Sequence, residues 1–109
     1  MNMNEYQEKA AETARYSNKN KDREARINYC VVGLIGEAGE VADAHKKYLR
    51  GTFDKNQHKA TLIEECGDVL WYMAMLAHEL DIPFDMVAGF NLLKLRERYK
   101  QSGGPSPSP

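Results

Sequence analysis

Two runs of this chain set an apolar helical pattern around a doublet of carboxylates, and together they leave few folds open. In the first run, residues 33–43, Glu37 and Glu40 stand three apart; in the second, residues 64–72, Glu65 and Asp68 do the same. Positions i and i+3 of a helix project from nearly one side. Each doublet therefore places two negative charges on one spot of an otherwise greasy helix. Charges rarely sit on such a face unless something neutralises them. A hard divalent cation meets that need, and an all-oxygen donor set suits magnesium, with manganese as a substitute.

The heights of the two doublets agree. If one helix ends near Leu49 and the next begins near Gln57, the short connection makes them antiparallel. Glu37 and Glu40 then lie about 11 residues before the turn and Glu65 and Asp68 about 9 or 10 after it, so both sit roughly 14 to 17 Å from the loop. Four carboxylates at one level between two facing helices would form a metal cradle.

With 109 residues the chain makes one domain, residues 1–100, followed by a Gly/Pro/Ser tail, 101–109, that cannot pack. Four helices are predicted: Asn4 to Tyr16, Arg23 to Leu49, Gln57 or His58 to Leu80, and Pro83 to Tyr99. Asp22 is the expected N-cap of the second, Gly51 its stop, and Pro83 the first residue of the fourth. The polar stretch 17–21 separates the first two helices and a loop spans 50–56. Inward-facing residues are expected to include Tyr6, Ala10, Thr13 or Ala14, and Tyr16; Ile27, Val31, Leu34, Ile35, Val41, Ala42 and Tyr48; Leu62, Cys66, Val69, Leu70, Met73, Leu76 and Leu80; and Phe84, Val87, Phe90 or Asn91, and Leu95. Gly36 and Gly39, beside the first acidic doublet, suggest close approach of a helix or a bound group. No strand pattern competes. The expectation is an all-α bundle of about four helices, completed by homo-oligomerisation, since so short a chain buries a modest core.

Net charge is -1, which argues against a nucleic-acid polymer as partner. Cys30 and Cys66 fall in apolar helical patterns and read as buried thiols of a reducing compartment. The polar start reads as no signal peptide, and no apolar run is long enough to span a membrane, so a cytoplasmic location is expected. His45, His58 and His78 lack metal-ligand spacing, so no zinc site is expected. Nor is there a Walker loop, a nucleophile elbow or the Glu-x-x-His pairs of a di-iron bundle.

Carboxylate-held magnesium usually serves phosphoryl chemistry. No protein nucleophile is in view, so water is the expected attacker, and a carboxylate not fully engaged by metal could take its proton. Lys94 and Arg98, at the basic end of the last helix, could hold phosphates. Tyr72, one turn past Asp68, could stack on base or sugar, and Lys47 could meet a phosphate. Asp43 and Glu64 point away and read as solvated. A second reading makes the same bundle a non-catalytic nucleotide-binding or protein-interaction module, with the surface from Trp71 to Leu76 as its interface.

Glu37-Ala-Gly-Glu40, then Glu65-Cys-Gly-Asp68 leading to Trp71 and Tyr72, then Asn91 to Tyr99 with Lys94 and Arg98, resemble the MazG-like nucleoside triphosphate pyrophosphohydrolases. The opening Asn4 to Gln7 is similar to their small single-domain branch, and the likeness covers roughly residues 4 to 99. The resemblance implies an all-α homodimer or homotetramer that splits (deoxy)nucleoside triphosphates between the α and β phosphates, with magnesium. It implies Glu37, Glu40, Glu65 and Asp68 as metal-holding catalytic residues. It places Asn91, Lys94 and Arg98 on the nucleotide, joined by Tyr72 and Lys47. Members of the family act on canonical, modified or alarmone nucleotides.

Overall fold

In the computed structural model, which describes residues 1–19 and 22–104, every regular element is helical. α1 is Met3–Ala11, α2 Tyr16–Lys19, α3 Arg23–Leu49, α4 Lys55–Glu79 and α5 Phe84–Ser102. The helix predicted over residues 4–16 is thus two: the chain turns at residues 12–15, and Thr13 Oγ1 folds back to donate to the Ala10 carbonyl at 2.7 Å. Asn20, Lys21 and residues 105–109, including most of the expected tail, lie outside the described residues.

The starts and stops have local causes. Asp22 caps α3 by accepting from the Glu24 N–H, and Gly51 ends the turn after it at φ +82°. α4 starts earlier than expected, because Asp54 and Gln57 form a reciprocal capping box at 2.8 and 2.9 Å. α5 runs on to Ser102 and stops at Gly103, φ +72°. At its start Pro83 is the cap rather than the first helical residue, and has no side-chain cap bond to offer. α1 supplies the missing acceptors instead: Gln7 Oε1 takes the Phe84 N–H at 3.1 Å and Asn4 Oδ1 the Asp85 N–H at 2.9 Å. The Gln7 amide also donates to the carbonyls of Ala74 and Ile82.

α3 and α4 pair as the antiparallel hairpin, α1 crosses α4, and α2 leans on α3. The core sits at the end of the hairpin away from its turn: Ala10, Tyr16, Cys30, Ala74, Met75, Ala77 and Phe84. Glu79 is buried there, but Arg26 pairs with it at 3.0 Å and the Tyr16 hydroxyl donates to it at 2.9 Å. Burial alone would push this carboxyl up; the hydrogen bonds from Arg26 and Tyr16 and the Arg26 charge outweigh it and hold it below its ordinary value.

Several residues expected inside are outside. Ile35 and Phe90 are 67% and 61% exposed, and Val31, Ala42, Met73, Leu80, Val87 and Cys66 are exposed as well. Helical periodicity marks an apolar face but not whether the same chain covers it. Within the Trp71 to Leu76 segment, Ala74 and Met75 are buried and Trp71 donates to Thr13 at 2.9 Å, while Met73 stays exposed, so only part of that surface is open. α5 touches only α1 and α4, and among the described residues it makes no contact with α3. The radius of gyration, 16.8 Å, exceeds the roughly 13 Å of a compact chain this long, because that helix projects from the rest.

Candidate metal centre

The hairpin register decides which carboxylates meet. One oxygen each from Glu37 on α3 and from Glu65 and Asp68 on α4 lies within 4.8 Å of the other two. Glu37 and Glu65 are half-buried and Asp68 is exposed. Glu40, a turn further along α3, is exposed and outside this triplet, although its charge still acts on Glu65. Glu64 is exposed, and Asp43 pairs with Lys47 at 3.2 Å and Lys46 at 3.6 Å.

Among the described residues no lysine, arginine or histidine lies within ion-pair distance of Glu37, Glu40, Glu65 or Asp68. The Glu65 carboxyl registers the consequence. Burial raises its pKa first, followed by the charges of Asp68, Glu40, Glu37 and Glu64. Like charges gathered in this way could hold a metal ion. The spacing fits a small hard ion. Three carboxylate oxygens within 4.8 Å of one another are near enough that one such ion could draw them together.

Around the triplet the structure arranges aromatic rings. Tyr72 lies across Gly33, so closely that a Cβ there would fall on its ring. Gly33, not Gly36 or Gly39, is therefore the glycine of close approach; those two meet open space. Burial, a hydrogen bond with Tyr29 and the charge of Glu37 push the Tyr72 hydroxyl up to about 12. Tyr29 stacks in turn on Tyr16, with ring centroids 5.1 Å apart. Tyr6 of α1 also falls under the charge of Asp68, which adds to burial in raising its phenol. Sequence spacing gave no sign of that approach, since it depends on how α1 crosses α4.

The other residues expected to bind substrate are dispersed. Lys47 is engaged by Asp43 and lies 5.8 Å over the Phe53 ring. Asn91, Lys94 and Arg98 are exposed on α5, which does not reach α3. Among the described residues no ion pair joins the basic residues of α5 to the acidic cluster.

Fold and site thus define a helical protein whose central hairpin presents clustered, unneutralised carboxylates suited to a hard dication. Comparison makes the class specific: the profile of the MazG nucleotide pyrophosphohydrolase domain matches residues 28–102, and the chain belongs to that family. Its members are metal-dependent, and membership implies a nucleotide pyrophosphohydrolase acting on a nucleoside triphosphate. The chain is also similar to Gene 37 protein of Mycobacterium phage L5, at 39% identity over 104 residues, covering 90% of this chain and 89% of that one. No solved structure matches it significantly. Among the described residues no helix is long and apolar enough to cross a membrane.

Proposed function

We propose that this protein hydrolyses (deoxy)nucleoside triphosphates at the α–β bond, giving the nucleoside monophosphate and pyrophosphate, with Mg2+ (or Mn2+) held by Glu37, Glu40, Glu65 and Asp68. The observation that carries this reading is the Glu37–Glu65–Asp68 triplet, without a cationic partner among the described residues, in a chain of the MazG family. When bound, the ion offsets phosphate charge and acidifies a coordinated water. Glu37, Glu65 and Asp68 would hold that ion and so fix where the triphosphate meets the hairpin. One of these carboxylates, not fully engaged by the ion, would accept the proton of the attacking water, and Glu40, which stands outside the tight triplet, is our candidate. Tyr72, braced on Gly33, bounds the site on the base or sugar side, and Lys47 becomes available to phosphate if it leaves Asp43.

Asn91, Lys94 and Arg98 complete the site from a second copy, in a cytoplasmic homodimer or homotetramer. Two features support this. α5 leaves Phe90, Leu92 and Leu93 53–64% exposed along its length. The hairpin has an apolar groove of about 650 Å³, lined by Val41, Ile63, Val69 and Met73 among others, beside the acids that α5's cations would complement.

Turnover with a panel of deoxynucleoside triphosphates and magnesium tests the chemistry. Pyrophosphate is the expected product. Orthophosphate alone would reject α–β cleavage, and no turnover would leave a binding module.

A further inference from the structure

The turn end of the hairpin carries a second constellation that the acidic site does not use. His45, near the end of α3, and His58, in the first turns of α4, bring Nδ1 and Nε2 to 3.0 Å. Their rings are inclined by 47°. Tyr48 stacks flat on His58, with centroids 4.0 Å apart and planes 19° apart, and fixes that ring. His45 is exposed and His58 half-buried, so one side of the pair is open to water.

Two imidazoles this close share one proton between two lone pairs. Without that proton, both lone pairs address one small volume. Nitrogens bound to a common ion at 2.0–2.1 Å stand about 2.8 Å apart at a right angle and about 3.4 Å apart at the tetrahedral angle. The observed 3.0 Å lies between. Imidazole nitrogen suits zinc, nickel and copper, whereas carboxylate oxygen suits magnesium and manganese. The pair is separate from the acids: His45 follows Glu37 by eight residues and His58 precedes Glu65 by seven, roughly 10–12 Å along the helices.

We propose that His45 and His58 form a second metal site, for a borderline transition-metal dication such as Zn2+, which clasps α3 to α4 beside their turn, with water completing the coordination. The two sites sort metals by donor type, oxygen at mid-hairpin and nitrogen at its end.

Titration of the chelator-treated full chain with Zn2+, in millimolar Mg2+ to occupy the acids, tests this. The wild type should bind one Mg2+-resistant equivalent and melt higher with it. In NMR spectra Zn2+ should move the ring signals of His45 and His58 and leave His78 unchanged. His45→Ala, at an exposed position, should weaken this binding by roughly tenfold or more, and His58→Ala likewise. Equal Zn2+ binding by wild type and His45→Ala, or movement of the His78 signals alone, would overturn the proposal. Pyrophosphate release in Mg2+ without zinc should be the same in His45→Ala as in wild type, so this site and the proposed hydrolysis fail independently.

Discussion

The α3–α4 hairpin and α5 are built from similar material and end differently. Both mix apolar residues with charge, but the hairpin closes on itself over most of its length, whereas α5 is anchored at its first turn and otherwise meets solvent. The hairpin gathers Glu37, Glu40, Glu65 and Asp68, which pair with no basic side chain among the described residues; α5 carries Lys94, Arg96, Arg98 and Lys100, of which, among the described residues, only Lys100 is in an ion pair, with Glu97 at 3.6 Å. One region is a finished element with an unfinished site, and the other is an unfinished element with the charges that site lacks. That difference argues for reading the molecule as a subunit.

The comparison breaks most decisively at the acids. Asp68→Asn and Glu40→Gln should each lower pyrophosphate release by on the order of 10²–10³-fold with the helical circular dichroism kept. Unchanged turnover in either would remove that residue from the chemistry.

A second test divides α5 from the hairpin. Replacing both Phe90 and Leu93 by glutamate removes roughly 3–6 kcal/mol of apolar burial from any contact they make, so self-association should weaken by about 10²–10⁴-fold. Light scattering should show a smaller particle, and activity should fall with it. A monomeric wild type would end the subunit reading.

Smaller in scale is the anchor of the hairpin itself. Glu79→Ala removes a buried hydrogen-bond partner from Arg26 and from Tyr16 and should cost roughly 2–3 kcal/mol in chemical denaturation. Because the Glu79 pKa is lowered on folding, its contribution is full above its ordinary value of 4.5 and is lost as pH falls through the depressed folded value. Glu79→Gln should therefore flatten the acid limb of the stability curve.

The finest probe uses the glycines. Gly33→Ala drives a methyl into the Tyr72 ring and should destabilise by about 1–3 kcal/mol. Gly36→Ala meets open space in the single chain and should stabilise it by about 0.5–1 kcal/mol. If Gly36→Ala instead weakens the assembly, that face of α3 lies against another copy.

Much of this was legible in the residues. The two long helices and the level of the acids follow from a fixed rise per residue, so counting from a turn suffices. What was illegible depends on rotation and on coverage. Whether Ile35 or Phe90 is covered is decided by another surface, not by the period that marks it apolar. That Cys66 is exposed while Cys30 is sealed follows from which side of each helix α1 and α2 overlie. His45 and His58 show no ligand spacing because they meet across the hairpin. Asp54 and Gln57 did carry a capping signal, and it was the polar loop around them that hid where α4 begins.

The borrowed cap on α5 has a practical consequence. The amide hydrogens at its start are satisfied by Asn4 and Gln7, which lie outside the family-matched stretch 28–102. A fragment trimmed to that stretch would keep the four carboxylates of the proposed site and the basic residues of α5, yet lose the bracket that aims the basic rod. Loss of α1 would thus act on the protein from a distance, by letting its far end swing free.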